Sequence, residues 1–156
     1  MHPSTAAFRE RAQERHGFDP AVETFPDGTE AAADATDAIG CDIAGIAGSL
    51  VFDADGDLVV VVASGATNVS ESRVAAHLGA DRVSMADPER VRDAVGWDVG
   101  GVPPICHDAD LPVVVDASLL DHDTVWAAAG APTAVFPIPP AELASLADAE
   151  VVSVAE

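Results

Sequence analysis

The chain has 156 residues, 49% of them hydrophobic, and a net charge of −20 from 27 acids against 7 bases. That is one domain's length with enough apolar surface for a core, which excludes a disordered chain and removes the need for a disulfide or metal staple. The longest purely apolar run, Leu58–Ala63, is far too short for a bilayer, and Met1–Glu14 holds no apolar stretch of the kind a signal peptide needs, so a cytoplasmic protein without a membrane partner is expected.

In chain order, residues 5–16 read as a helix with Ser4 as its N-cap and Gly17 as its stop. Val22–Phe25 reads as a short strand, and residues 30–39 as a small helix ended by Gly40. Ile46–Phe52 and Leu58–Ser64 flank an Asp/Gly turn and predict an antiparallel hairpin. The run Leu58-Val59-Val60-Val61-Val62 does not alternate, so that strand should be covered on both faces. Ser70 caps a helix over 71–78 that Gly79 ends, and Arg82–Met85 follows as a strand. Asp87-Pro88 opens a helix that stops at Gly96, with Asp as cap and Pro in the first turn. Residues 97–110 show no periodicity. Leu111–Val115 is a buried strand ending in Asp116, and strands near 124–128 and 133–137 follow, separated by Gly130-Ala131-Pro132. Pro139-Pro140 starts a last helix to about Leu146, and Val151–Val154 closes as a strand. The sum is a single α/β (α+β) domain over residues 1–156.

All seven bases are arginine, no lysine is present, and Asp outnumbers Glu 18 to 9. An acidic surface of short carboxylates suits molar salt, where self-repulsion is screened within a few Å, so a salt-adapted protein is expected; an acidic protein from an ordinary cell is the plainer alternative. Cys41 and Cys106 make neither a disulfide framework nor a zinc spacing, and the five histidines form no metal pattern. The Asp53–Asp57 stretch has its glycine two places early for a calcium loop and reads as a hairpin turn. No metal and no cofactor is expected.

The aperiodic segment carries the strongest chemical signal. Gly100-Gly101 lets the backbone approach a ligand closely, and Pro103-Pro104 stiffens the far side and removes N–H donors. The product is a rigid loop able to present main-chain groups to a small substrate; a structural turn between helix and strand is the competing reading. Cys106 beside His107 suggests a nucleophile–base pair, but adjacency in sequence does not make a dyad.

Several stretches, in order, resemble the YbaK-type family of prolyl-tRNA-synthetase-associated editing domains. They are Ile46-Ala47-Gly48-Ser49-Leu50-Val51-Phe52, Ala63-Ser64-Gly65, Leu78-Gly79-Ala80 and Gly96 leading to Gly100-Gly101-Val102-Pro103-Pro104. Leu111–Asp116, Ser118-Leu119-Leu120, Val125–Gly130 and Pro140–Leu143 continue the series, so the likeness covers about 29–156 and leaves 1–28 as an N-terminal helix and short strand. The resemblance implies a mixed, β-barrel-like central sheet flanked by short helices. It implies a trans-acting deacylase that hydrolyses the ester of a small wrong amino acid on tRNA, tRNA-Pro or a similar one, without metal or covalent intermediate. The implied partner is the aminoacylated 3′ end of tRNA and not DNA, with a weak homodimer or association with a synthetase as further expectations. Gly100, Gly101, Pro104 and His107 are implied as the catalytic set, and Gly48, Ser49, Val102, Pro103 and Gly130 as substrate-binding residues, Gly130 by leaving space for the aminoacyl side chain.

One departure stands out. The family usually carries lysine just before Ser49, where this chain has Gly48, and no other lysine can replace it. Arg73 sits where many relatives carry a base. The departure supports an alternative function, a non-catalytic module that binds tRNA or an aminoacyl-like ligand. Other residues have plain structural readings beside the functional ones: Ser49 as a strand-end hydrogen bonder, Asp116 as a cap or turn stabiliser, Trp97 and Trp126 as core rather than platforms for the terminal adenine. Many relatives have glycine at the position of Cys106.

Overall fold

The computed structural model describes residues 3–24, 45–97, 101–109, 111–131 and 134–155. Helix α1 spans Pro3–His16, two residues longer at its start than the Ser4 cap predicts, because Pro3 fits a first turn that needs no N–H. Gly17 ends it at φ +61°. Strand β1 is Glu23–Thr24, inside the predicted span. The predicted helix over 30–39 and Cys41 lie outside the described residues.

Strands β2 (Ile46–Ala54) and β3 (Asp57–Ser64) form the predicted hairpin. Asp55 and Gly56 both take positive φ, 53° and 99°, which is the two-residue turn that matches strand twist. Asp53 accepts the Gly56 N–H at 2.7 Å, and Arg90, from the helix over Pro88–Val95, donates to the Asp53 carboxylate and the Gly56 carbonyl. From Leu58 to Ser64 every β3 residue is buried, as the uninterrupted valine run predicts.

Helix α2 (Glu71–Leu78) is capped by Ser70 and ended by Gly79, strand β4 is Val83–Met85, and helix α3 (Pro88–Val95) is capped by Asp87 and ended by Gly96. Strand β5 is Val113–Asp116, starting two residues later than predicted, followed by a 3-10 turn at Ala117–Asp121. Strands β6 (Val125–Ala128) and β7 (Ala134–Ile138), helix α4 (Pro140–Leu146) and strand β8 (Glu150–Val152) complete the chain.

The eight strands make one mixed sheet, in the order β1-β7-β6-β2-β3-β5-β8, with β4 joined to β2. β1 and β8 each pair with one strand, so the barrel is not closed among the described residues. Side chains alternate along β2 and β3 and feed two cores. One face packs Ala47, Val51, Val60 and Val62 with Phe8, Trp97, Val102, Ile105 and Phe136; the other packs Phe52, Val59 and Val61 with Val74, Val83 and Val154. The polar helix α1 joins the first core through Phe8 and Ala12, both fully buried, with Phe8 against Phe136 and Trp97.

Asp116 is 1% exposed and belongs to this architecture. Its carboxylate accepts the Val154 N–H at 3.0 Å and the Ser118 hydroxyl, tying the C-terminal segment to β5. The structural reading of Trp97 also holds. Its ring is 4% exposed and its indole N–H donates to the Cys106 carbonyl at 3.0 Å. Trp126 lies half-buried on β6, opposite Pro137 of β7.

Candidate functional site: a buried glycine–proline loop beside an open strand edge

The loop after α3 is pinned at several points. The Asp108 and Ala109 N–H groups donate to the Val95 and Ala94 carbonyls at 3.1 and 2.9 Å. The Asp108 carboxylate fills the space over Gly96, where a Cβ would lie 2.3 Å from its oxygen. It also takes an N–H from Arg11 of α1 at 2.9 Å, and the Arg11 guanidinium lies 5.0 Å from the centre of the Trp97 ring. Gly100 lies outside the described residues. Gly101, Val102, Pro103, Pro104, Ile105 and Cys106 are all buried.

Gly101 has a reason to be glycine that is steric rather than conformational. A Cβ there would meet the backbone of Ala131, in the β6–β7 turn, at 2.7–2.9 Å. Pro103 and Pro104 have no N–H, so the main-chain donors of this stretch are Gly101, Val102, Ile105 and Cys106. The His107 ring closes the loop: its Nε2 lies 2.8 Å from the Pro103 carbonyl. A carbonyl only accepts, so Nε2 carries the proton, and the neutral ring keeps Nδ1 as an acceptor. Burial pushes the His107 pKa below its usual value, against the pull of the Pro103 bond, so the ring is neutral at pH 7.

Cys106 is no nucleophile. It is 4% exposed, and burial pushes its thiol up to about 11. Its φ is +67°, a left-handed backbone that costs glycine nothing and explains why glycine suits this position. Among the described residues no group of His, Cys, Asp and Glu could hold a metal ion, and no helix is long and apolar enough to cross a membrane.

Gly48 and Ser49 are neighbours on β2 and point to opposite faces. Ser49 shares its face with Ala47 and Val51, the face that packs Val102 and Ile105 of the loop; Gly48 shares its face with Phe52. A Cβ at Gly48 would meet only the Ala63 carbonyl at 3.8 Å, so a side chain fits there. Arg73 is exposed on α2.

The edge of β2 is interrupted beside Ser49. β6 pairs with Ile46 and Ala47, β4 pairs with Phe52–Ala54, and the Ala86 N–H just past β4 donates to the Val51 carbonyl at 3.0 Å, which leaves Gly48–Leu50 without a strand neighbour on that side among the described residues. The Ile46 carbonyl accepts from Gly65 on the β3 side, so the alternation of backbone direction turns the Ser49 N–H and carbonyl toward the open edge. The Ser49 hydroxyl is buried and has no hydrogen-bond partner among the described residues. An unpartnered hydroxyl is uncommon in a finished core, because it carries its desolvation cost without return.

Gly130 adjoins Ala131, whose backbone meets Gly101, but it opens no space of its own. Its φ is +90°, and the place of its missing Cβ is occupied by the Ser4 carbonyl at 2.8 Å, the Trp97 ring at 3.0 Å and Phe8 at 3.2 Å. The chain's own first helix takes the room that the resemblance assigns to an aminoacyl side chain. Sequence reasoning missed Ala131, Asp108 and Arg15, whose Nη1 donates to the His107 carbonyl at 2.9 Å. Ala131 meets Gly101 across 30 residues, and Arg11–Asp108 and Arg15–His107 join across more than 90, so no local pattern announces them.

A sequence profile of the aminoacyl-tRNA editing domain matches residues 26–146. The chain is 37% identical over 71 residues to the proline–tRNA ligase of Lysinibacillus sphaericus, a match covering 46% of this chain and only 12% of that enzyme. It is 29% identical over 131 residues to the uncharacterized protein YwhH of Bacillus subtilis, covering 83% of each. Among solved structures, a crystal structure described as "a putative trans-editing enzyme for prolyl tRNA synthetase" superposes with a TM-score of 0.95 at 32% identity, over 100% of this chain and 99% of that one.

Proposed function

Because the chain belongs to the aminoacyl-tRNA editing domain family, we propose that it is a trans-acting deacylase that hydrolyses the ester of a small wrong amino acid on tRNA, with tRNA-Pro as the leading candidate. The observation that carries this reading is the buried, unpartnered Ser49 hydroxyl beside an open strand edge, on the face that packs the glycine–proline loop. In the reaction, a water oxygen bonds to the ester carbon and the bond from that carbon to the ribose oxygen breaks. The water's proton ends on the ribose oxygen, releasing free amino acid and tRNA. Main-chain N–H groups at Gly101 and Val102 are the donors suited to the developing oxyanion, and His107 Nδ1 is an acceptor suited to orienting water. Rate then comes from placement in a pinned loop, not from an activated side-chain nucleophile. The protein would meet its tRNA in the cytoplasm, alone or beside prolyl-tRNA synthetase.

Ser49→Ala tests the reading through two readouts that move in opposite directions. Removing an unsatisfied buried hydroxyl should leave stability unchanged or raise it, since such a group costs about 1–3 kcal/mol. The same change should lower kcat/KM for deacylation about tenfold or more. A purely structural hydroxyl would show the reverse, a less stable protein with unchanged deacylation. Gly48→Lys is the companion variant: an editor short of one cation gains rate, and a module that only binds gains none.

A further inference from the structure

Basic side chains are scarce here, yet three imidazole or guanidinium groups line one cavity. It has a volume of about 330 Å³ and lies between the end of α1, the Pro104–Ala109 segment, the start of β5 and the end of α4. Arg15, His16, His107 and Asp108 give it polar walls, the Asp108 carboxylate being held by Arg11 at 2.9 Å, and Ile105, Val113 and Leu146 give it an apolar surface. The two other arginines of α1 are neutralised, Arg9 by Asp19 at 3.5 Å and Arg11 by Asp108 at 2.9 Å. Arg15 has no carboxylate partner among the described residues and donates one N–H to the His107 carbonyl. The rest of its five-donor fork is available to a ligand.

An unpaired guanidinium beside an apolar surface suits an oxyanion joined to a flat apolar body. The volume is larger than a phosphate alone requires. The C-terminal end of α1 opposes an anion through its free carbonyls, but Gly17 and Phe18 already cover those of Gln13 and Ala12. The cavity shares Pro104 and His107 with the glycine–proline loop. We propose that this cavity binds a nucleoside monophosphate unit, phosphate on Arg15 and base against Ile105, Val113 and Leu146. On RNA, we assign it a nucleotide of the 3′ acceptor end. The RNA assignment rests on the deacylase reading; the nucleotide site does not.

The test titrates the full chain with AMP, adenosine, inorganic phosphate and a short uncharged RNA ending in CCA, in molar KCl, by calorimetry. AMP should bind at least about tenfold more tightly than adenosine or phosphate. Arg15→Gln should bring AMP down to the level of adenosine, Arg15→Lys should keep part of the advantage, and Arg73→Gln, on α2, should change nothing. Thermal midpoints of the variants separate loss of binding from loss of the His107 anchor. The site is overturned if AMP binds no better than adenosine, or if Arg15→Gln binds AMP as the wild type does. An Arg15-dependent AMP site that the CCA RNA ignores overturns the RNA assignment. If the wild type deacylates no ester but still discriminates AMP through Arg15, the deacylase reading falls and the nucleotide site stands.

Discussion

Replacing Gly101 by alanine asks whether the loop is held by backbone-to-backbone contact. The new Cβ would lie 2.7 Å from the Ala131 Cα and 2.9 Å from its carbonyl carbon and nitrogen. Ordinary contact begins near 3.4 Å, so the two backbones must part by about 0.7 Å, and no side chain can rotate away to absorb the change. Overpacking of this kind costs about 1–3 kcal/mol, which for a chain of this size lowers Tm by about 2–12 °C. A shift approaching 1 Å in a placement-based site should also cut deacylation by about 100-fold. Thermal unfolding followed by tryptophan fluorescence, with deacylation rates below the transition, reads both effects. Gly48→Ala is the control, because its Cβ meets only the Ala63 carbonyl at 3.8 Å and should be neutral or mildly stabilising. Ala131→Gly should not rescue Gly101→Ala, since the clash is with main-chain atoms. A Gly101→Ala protein melting within about 1 °C of wild type, or rescue by Ala131→Gly, would refute the packing argument.

Three further expectations follow from buried groups. Asp116→Ala removes the acceptor of the buried Val154 N–H and the Ser118 hydroxyl and should cost about 1–3 kcal/mol, read in urea unfolding; an unchanged midpoint contradicts the clamp. Burial lowers the pKa of His107, and burial with Arg15 nearby lowers that of His16, below the ordinary 6.5. The unfolded chain therefore takes up protons that the folded chain refuses, so their contribution is complete above about pH 6.5 and is lost as pH falls below it, with a slope of at most ~1.4 kcal/mol per pH unit for each proton. His107→Gln should flatten the pH dependence of Tm just below pH 6.5, and an identical slope would remove His107 as its source. With its thiol raised to about 11, Cys106 should resist iodoacetamide at pH 8 in the folded protein and react after unfolding, as peptide mass spectrometry would record; fast native labelling contradicts its burial.

What the sequence made legible was local. The caps of α2 and α3, the Asp55-Gly56 turn and the buried valine strand all rest on contacts within a few residues, and each appears where predicted. The alternation along β2 already implies that Gly48 and Ser49 part company across the sheet. The parallel pairings of β2 with β6, β3 with β5 and β5 with β8 were not legible, because they join segments separated by intervening chain and leave no periodicity of their own. The sequence marks helix α1 by its ends alone and does not announce that Phe8 meets Phe136 and Arg11 meets Asp108. The Gly100–Pro104 loop was recognisable as special from its composition. The reason for Gly101 was not, since it lies in Ala131, and the reason for Cys106 adopting a glycine-like backbone is visible only in its φ.

The central claim is tested most directly by a deacylation time course with the folded protein in molar KCl. The substrates are tRNA-Pro charged with alanine, cysteine or proline, with serine- and alanine-charged tRNAs of other families beside them. The account predicts release of one small wrong amino acid well above the uncatalysed rate, with Pro-tRNA-Pro spared. Uncatalysed rates for every ester, from protein shown to be folded by its unfolding transition, would contradict it.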